Sequence, residues 1–212
     1  MSRAKTNEPT EMASSLIEQR FREWVGGRDP VAARIVLFEK VRDIPYGYPA
    51  SRDPETVLRE GKGSCSGKHA LLGDLFRLLG LRVRHALCRH RFNDSPLPFP
   101  ESMQEMLRRD EIVDIHDYLQ VQIDGSWVDV DATWSSDLRE YGFPVNEAWD
   151  GFRSMPLSVV VDDEDPVFVE RDPAKKKEEL LARLSPRQRA LRHKFLEALA
   201  GWASELRQDR FS

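Results

Sequence analysis

Cys65, His116 and Asp131 are the residues whose types and spacing could perform nucleophilic chemistry. Cys65 follows a glycine-rich break at 61–64 and precedes an apolar helical pattern that ends at Gly80. Unpaired backbone N–H groups at a helix start favour the thiolate, which is the nucleophilic form of cysteine. Small neighbours are expected to let a substrate approach closely, and they are Gly63, Ser64, Ser66 and Gly67. The pattern predicts a reactive thiol that needs a base and a residue to orient the base.

A predicted hairpin supplies both residues. Two alternating segments, 116–123 and 126–131, flank Asp124-Gly125, a dipeptide typical of a two-residue turn. Such a turn places Tyr118 opposite Asp131 and makes His116 the diagonal neighbour of Asp131 on one face. Diagonal neighbours lie roughly 7 Å apart at the backbone, within reach of an imidazole–carboxylate hydrogen bond. Asp129 is one step further away, so Asp131 is the better orienter, although a three-residue loop would move it to the other face.

The surrounding elements must position these side chains. Asp29-Pro30 predicts a helix start and Ser185 with Gln188 a capping box. Helices are predicted at 14–25, 30–42, 54–59, 65–79 and after Pro173 to about 208, and strands at 81–92, 116–123, 126–131, 157–161 and 167–170. The polar connection at 93–110, with one short helix near 102–109, is long enough to be a lid or a substrate-binding loop.

The remaining chemically active side chains have simpler interpretations. Cys88 lies in a strand pattern and is interpreted as a buried structural thiol. His69 follows Cys65 by one helical turn but has no evident orienter, so it is a weak alternative base. His85 and His90 fall in an arginine-rich strand, where a surface position is expected. The run Lys175 to Lys177 is interpreted as a solvated helix start.

Aromatic residues form a separate group. The turn-rich segment 44–50 is expected to cross the surface rather than enter the core. Within it, Tyr46 and Tyr48 are candidates for lending a hydroxyl to an oxyanion hole. The tryptophans near the hairpin and beyond it are expected to pack at the sheet edge or line the cleft, where they could stack on a substrate: Trp127, Trp134 and Trp149.

Composition limits the classes of partner. The 212 residues carry 32 basic and 36 acidic side chains, a net charge of −4, so a nucleic-acid partner is not expected. Apolar runs are too short to span a bilayer and the first ten residues are polar, so neither a membrane segment nor a secretory signal is expected. Two cysteines suit a cytoplasmic protein. Without HExxH or CxxC spacing, neither a metal nor a cofactor is predicted.

Two segments carry a family resemblance. Gly63-Ser64-Cys65-Ser66-Gly67, continuing through Leu79-Gly80-Leu81, resembles the nucleophile helix of transglutaminase-like proteins. The second segment pairs His116-Asp117-Tyr118 with a stretch from Trp127 to Trp134, which resembles the H-x-W and W-x-x-x-D-x-T signature of that family. Tyr118 stands where tryptophan is commoner and Ala132 where proline is commoner. With the preceding helix, the resemblance covers about half of the chain.

The resemblance implies a papain-like α+β core, in which the cysteine helix packs on an antiparallel sheet, with additional N- and C-terminal helices. It implies Cys65 as nucleophile, His116 as base and Asp131 as orienter. The expected organisation is a flexible tail at 1–13, a catalytic domain at 14–172 and a helical segment at 173–212. The superfamily includes crosslinking transglutaminases, proteases, amidases and arylamine acetyltransferases, so the resemblance implies acyl transfer without naming a substrate.

The expected function is therefore cysteine-dependent acyl transfer or amide hydrolysis through a thioester, on a peptide, a protein or a small amide or ester. One alternative is a binding module that keeps the fold and holds a peptide or protein without catalysis. A second alternative is an arylamine-type N-acetyltransferase. The acceptor, the physiological substrate and the oligomeric state are left open by the sequence.

Overall fold

The computed structural model describes residues 14–161 and 166–209. The tail expected at 1–13 and the acidic turn expected at 162–165 lie outside these residues. In chain order the described elements are α1 (Leu16–Val25), α2 (Pro30–Arg42), α3 (Pro54–Glu60), α4 (Cys65–Leu78), β1 (Val83–Arg91), α5 (Glu101–Arg109), β2 (Val113–Ile123), β3 (Ser126–Val130), β4 (Val167–Val169), α6 (Pro173–Ala182) and α7 (Pro186–Asp209). Short 3-10 turns lie at Phe92–Asp94 and Ser136–Tyr141.

Local chemistry determines where these helices begin. The Asp29 carboxylate accepts hydrogen bonds from the N–H groups of Val31 and Ala32, which α2 leaves without intrahelical partners. At the start of α7, Ser185 and Gln188 each accept a hydrogen bond from the backbone N–H of the other, at 3.2 and 3.0 Å. Both predicted helix starts are confirmed.

The four strands form one antiparallel sheet in the order β3-β2-β1-β4. The β2–β3 hairpin turns at Asp124 and Gly125, whose φ angles are 50° and 83°, as a two-residue turn with positive φ at both positions requires. Its ladder runs from Ile123↔Ser126 to Leu119↔Val130, so the predicted register is confirmed. The sheet and its helices also confirm the α+β class.

One strand prediction is wrong. Residues 157–161 form no strand, and Val161 makes an isolated bridge to His90. Leu157 and Val159 pack against a small cluster that contains Ala86 and Tyr118 from β1 and β2. The alternation of apolar and polar residues at 157–161 therefore reflects packing of Leu157 and Val159 over a face of the sheet, not strand pairing along its edge.

The first hydrophobic core joins α4 to the apolar face of the sheet. Leu71, Leu72 and Leu75 of α4 are fully buried in one cluster with Leu119 and Val121 of β2. Burying a leucine side chain contributes about 1.5–3 kcal/mol. This stripe fixes α4 on the sheet and so fixes the position of the residue with which α4 begins.

A second core lies under α7. It joins Phe195 and neighbouring residues of α7 to Leu97, Phe99 and Met103, which are buried. The connection at 93–110 is therefore anchored by its apolar side chains. The rings of Phe99 and Phe195 meet edge to face with centroids 5.4 Å apart.

The aromatic segment 44–50 also enters the core, so the expectation that it would cross the surface is wrong. Tyr46 is 5% exposed and its ring lies 4.7 Å from that of Trp134. The cause is a parallel bridge between Tyr46 and Gly63, which draws this segment against the chain that leads into α4. Trp149 is likewise buried, between Phe38 and Phe76 in the first core.

Candidate active site

Cys65 is the first residue of α4, as predicted. The preceding Ser64 is extended, with φ −74° and ψ 171°, and its side chain makes no capping hydrogen bond. The N–H groups of a first helical turn have no intrahelical acceptor, and here the N-cap side chain does not occupy them. The thiol is 8% exposed, so it is nearly covered by its surroundings.

The glycines beside Cys65 have a different role from the one expected. A Cβ on Gly67 would lie 3.0 Å from Val57 Cγ2, and one on Gly63 would lie 2.9 Å from Lys68 Cγ. Both glycines are buried. The missing side chains make room for α3 and for Lys68 rather than for a substrate, so that part of the expectation is wrong.

His116 lies on β2, between Asp131 and Cys65. Its Nε2 donates to Asp131 Oδ2 at 2.8 Å. Cys65 and His116 shift the pKa of each other, so the two side chains are close. Because Nε2 is engaged, Nδ1 is the nitrogen left for the thiol. The structure thus brings together all three side chains that the sequence singled out.

Asp131 is 1% exposed, yet each of its oxygens accepts two hydrogen bonds. Oδ2 accepts from His116 and from the N–H of Ser158 at 2.8 Å. Oδ1 accepts from the hydroxyl of Thr133 at 2.6 Å and from its N–H at 3.0 Å. Burial alone would raise the pKa of Asp131, but His116 and these hydrogen bonds hold the pKa well below its ordinary value. The carboxylate is therefore ionised when it orients the ring.

The charges on Cys65 and His116 follow from the same contacts. Burial would raise the pKa of the Cys65 thiol, but the Lys177 ammonium and then His116 lower it to about 7. Burial would lower the pKa of His116, but Asp131 and the sulfur raise it well above its ordinary value. The pair is thus suited to exist as thiolate and imidazolium near neutral pH.

Lys177 is the residue that the sequence interpretation missed. The run that contains it was expected to be solvated, and for Lys177 this is wrong, because the residue is 2% exposed. Its Nζ donates to Ser66 Oγ at 3.0 Å and lies 3.7 Å from Cys65 Sγ. A signal was present: Lys177 precedes Leu180 and Leu181 by three and four residues, which places it on the apolar face of α6.

Asp114 and Arg192 extend this group of charges. Arg192, on α7, donates from Nε to Asp114 Oδ1 at 2.6 Å. Burial would raise the pKa of Asp114, but Lys177 and Arg192 hold it at about 2. The carboxylate is therefore a fixed negative charge two residues before His116 on β2.

His69 is buried beside the site, and its Nε2 is occupied by a backbone contact. Its Nε2 accepts the N–H of Ala132 at 2.8 Å, and burial lowers its pKa to about 4. Although Nε2 also lies 3.6 Å from Asp131 Oδ1, a nitrogen that accepts carries no proton, so the two do not form an ion pair. His69 instead positions the chain that follows Asp131.

His85 and His90 were expected at the surface, and this is wrong. Both are 3% exposed. His85 Nδ1 lies 2.9 Å from Asp117 Oδ1, and His90 Nε2 lies 4.0 Å from Asp114 Oδ2. Each histidine is buried because a carboxylate of the adjacent strand β2 is buried with it. Cys88 is 2% exposed, which confirms the prediction of a buried thiol.

The structure separates the three aromatic candidates. Tyr46 and Trp134 are buried, whereas Tyr48 is 38% exposed and its hydroxyl lies 3.2 Å from that of Tyr46. Burial raises the pKa of both tyrosines, so the hydroxyls remain protonated and able to donate. A cavity of about 360 Å³ opens beside Ser64, with Tyr48 and Arg192 among its lining residues. Among these aromatics, Tyr48 is the one on the cavity wall.

The described residues contain neither a cluster suited to a metal ion nor a helix suited to a membrane. Over residues 14–161 and 166–209, no group of three or more histidine, cysteine, aspartate or glutamate side chains is arranged to hold a metal ion. Over the same residues, no helix combines the length and the apolar character needed to cross a membrane.

One comparison with known proteins identifies the family of this chain. The family model of the transglutaminase-like superfamily matches residues 20–132, over half of the chain. The search of curated proteins found no match. The matched stretch includes Cys65, His116 and Asp131, and it ends before Lys177 and Arg192. Members of this superfamily generally have the fold of cysteine-based acyltransferases and proteases. The chain therefore belongs to the transglutaminase-like superfamily.

Proposed function

We propose that this protein is a cysteine-dependent acyltransferase or amidohydrolase with Cys65 as nucleophile, His116 as acid and base, and Asp131 as the residue that orients His116. The observation that carries the proposal is the position of His116, whose Nε2 bonds Asp131 Oδ2 at 2.8 Å and whose ring lies close enough to Cys65 to lower the pKa of the thiol. A series of nucleophile, base and orienter is the arrangement that activates a thiol.

The proposed reaction proceeds in two stages. Cys65 Sγ attacks the carbonyl carbon of an amide or ester, and the π electron pair moves to the carbonyl oxygen. When the adduct collapses, the bond to the leaving nitrogen or oxygen breaks and His116 gives that atom its proton, leaving a thioester on Sγ. Water or an amine then attacks the thioester, His116 takes its proton, and the thiolate leaves.

Several features of the site support this chemistry. The pKa of Cys65 at about 7 provides thiolate near neutral pH. The first-turn N–H groups of α4 provide donors for the carbonyl oxygen. The cavity of about 360 Å³ is lined by Ser64, the residue before Cys65, and not by the triad itself, so it is the candidate space for the part of a substrate that extends beyond the scissile bond.

Two other functions predict different behaviour. A binding module needs no activated thiol, so in that case Cys65 would react as slowly as an ordinary buried thiol. An arylamine-type N-acetyltransferase would form its thioester from acetyl-CoA and pass the acetyl group to an arylamine. The buried and ionised Asp131 supports catalysis over binding, because holding a peptide does not require an oriented histidine.

The test is to measure alkylation of the native protein by iodoacetamide from pH 5 to 10, with mass spectrometry to locate the label. Cys88, a buried thiol on β1, is the internal control. Burial raises the pKa of Cys88, in contrast to Cys65. The His116→Ala variant removes the base, and a parallel incubation with acetyl-CoA tests for the acetyltransferase.

We expect Cys65 to be alkylated well below pH 8, at least tenfold faster than Cys88, and to lose this advantage in His116→Ala. Equal and slow labelling of Cys65 in both proteins would favour the binding module. Acetylation of Cys65 by acetyl-CoA, followed by transfer to an arylamine, would favour the acetyltransferase.

A further inference from the structure

Lys177 enters the site from α6, outside the stretch that the family model matches. The neighbouring α7 places Arg192 on Asp114 at 2.6 Å. The C-terminal helices therefore deliver two cations to the nucleophile end of α4. The two cations are not equivalent, because Arg192 has a carboxylate partner at hydrogen-bond distance.

The buried ammonium of Lys177 lies next to the sulfur of Cys65. Burying an ammonium costs several kcal/mol unless opposite charge and hydrogen bonds compensate for the lost hydration. Lys177 Nζ donates to the neutral hydroxyl of Ser66 at 3.0 Å and lies 3.7 Å from Cys65 Sγ. Two of the anions around Lys177 are the Asp114 carboxylate and the Cys65 thiolate. The carboxylate is already engaged by Arg192 at 2.6 Å, whereas the thiolate has only His116 as a second cation.

We propose that Lys177 is a further catalytic residue, whose ammonium holds the Cys65 thiolate before attack and stabilises the negative charge on the carbonyl oxygen during attack. The inference rests on the proposed acyl transfer and assigns a part of that reaction to a residue outside the triad. His116 remains the acid and base, and Lys177 neither gives nor takes a proton.

The geometry suits both tasks. During attack the S–C bond forms, the carbonyl π pair moves to oxygen, and the negative charge of the sulfur passes to that oxygen. The oxygen of the adduct is two bonds from Sγ, so a donor 3.7 Å from Sγ can reach it with little movement. A fixed charge aimed at an oxyanion in a site that excludes water stabilises it strongly. Collapse of the adduct returns the electron pair to the carbonyl, and the charge leaves the oxygen.

The charged and titratable groups around Lys177 come from every element that packs against it. They are Cys65 on α4, Cys88 and His90 on β1, Asp114, His116 and Asp117 on β2, and Arg192 on α7. Burial lowers the pKa of His90 to about 4, so this ring is neutral near pH 7. Near neutral pH the negative charges around Lys177 are therefore those of the thiolate, of Asp114, which Arg192 engages, and of Asp117, which lies 2.9 Å from His85 Nδ1.

Two reagents distinguish the two proposed roles of Lys177, which are holding the thiolate and stabilising the oxyanion. Iodoacetamide alkylates a thiolate by displacing iodide, without forming an oxyanion, whereas p-nitrophenyl acetate acylates it through a tetrahedral oxyanion. The ratio of the acylation rate to the alkylation rate at one pH cancels the fraction of thiolate. We would measure this ratio and the pH profile of alkylation in wild type, Lys177→Met and Lys177→Arg, with the exposed Lys175→Met as the matched control.

In Lys177→Met we expect the alkylation profile to move to higher pH and the ratio to fall about a hundredfold, as for loss of one oxyanion donor. Lys177→Arg keeps the charge and is expected to stay within about tenfold of the wild-type ratio. Lys175→Met should match wild type in both measurements. A thermal melt of each variant verifies folding, and Lys177→Gln provides the same comparison if the methionine variant does not fold.

An unchanged ratio in Lys177→Met would overturn the role at the oxyanion, and an unchanged alkylation profile would overturn the role in holding the thiolate. Faster acylation in Lys177→Met would overturn the proposal by showing that Lys177 obstructs the thiol. These results differ from failure of the proposed function itself, in which wild-type Cys65 would be neither alkylated faster than Cys88 nor acylated at all.

Discussion

Replacing Asp131 with asparagine keeps the shape of the side chain and removes its charge, so it tests how the carboxylate supports both the fold and His116. Four donors converge on Asp131: two from Thr133, one from Ser158 and one from His116. An asparagine offers one acceptor oxygen and one NH₂ group. Donors on one side of the new side chain must therefore lose their acceptor.

The expected loss of stability follows from the less costly of the two orientations of the asparagine amide. With NH₂ toward Thr133, the hydroxyl can turn to accept, and one buried N–H remains without a partner at a cost of about 1–3 kcal/mol. Loss of the negative charge beside His116 adds to this, since breaking a buried ion pair costs about 3–5 kcal/mol when the remaining charge cannot be neutralised. His116 can lose its proton, so we expect Asp131→Asn to lower the free energy of unfolding by about 3 kcal/mol at neutral pH.

Equilibrium unfolding in urea, followed by circular dichroism, measures this loss. Asp129→Asn is the matched control, because Asp129 lies two residues before Asp131, near the end of β3, is partly exposed and accepts from Gln120 Nε2 at 2.8 Å. We expect this control to lose less than about 1 kcal/mol. Alkylation of Cys65 should shift to higher pH in Asp131→Asn, because an imidazole without its carboxylate is less cationic and supports the thiolate less.

The contribution of Asp131 to the free energy of unfolding depends on pH in a definite direction. The pKa of Asp131 is lowered by folding, so its contribution to stability is present above the unfolded value of about 3.9 and is lost as the pH falls toward the folded value. The difference between wild type and Asp131→Asn should narrow below about pH 5, where the Asp131 carboxylate takes up a proton in the unfolded chain. It should also narrow above the unfolded His116 value of about 6.5, because the stability that comes from the raised pKa of His116 is lost as the pH rises. Equal stability of Asp131→Asn and Asp129→Asn, or a difference that does not narrow in acid, would refute this reasoning.

Two other predictions concern the support of α4. Gly67→Ala should gain about 1 kcal/mol of helix propensity but lose more by contact with Val57, whose Cγ2 would lie 3.0 Å from the new Cβ. The substitution should therefore destabilise the protein, and it should be better tolerated when Val57→Ala is also present. Urea unfolding of wild type, the two single variants and the double variant tests this. Lys68 Nζ donates to the carbonyls of Arg42 and Thr133 at 2.7 and 2.8 Å, so Lys68→Met should cost about 2–5 kcal/mol. Because burial lowers the pKa of Lys68 to about 7, wild-type stability should gain a rising contribution between pH 7 and about 10 that Lys68→Met lacks.

The geometry of the triad was predictable because it depends on local chemistry. Asp124-Gly125 permits positive φ at both turn positions, and this fixed the register that brings His116 to Asp131. A break in the chain followed by a leucine stripe placed Cys65 at the start of α4. Both inferences needed only residues close together in the sequence.

The errors came from partners far away in the sequence. His85 and His90 alternate with arginines and so resemble a solvated strand, but their carboxylates, Asp117 and Asp114, lie on β2. A polar side chain is buried when its partner is buried with it, and no local pattern reveals such a partner. The spacing of Lys177 from Leu180 and Leu181 indicates that Lys177 is buried, but its partner Cys65 precedes it by more than a hundred residues.

The placement of Lys177 and Arg192 has a consequence for how proteins of this kind can diverge. The three residues of the triad lie within the stretch shared with the superfamily, whereas both cations come from the segment that follows it. Substitutions in α6 and α7 can thus change the acidity of the thiol while every triad residue stays the same. If the proposed triad is catalytic, two relatives with identical triads can differ in the pH at which they work, and engineering of that pH can begin in the C-terminal helices.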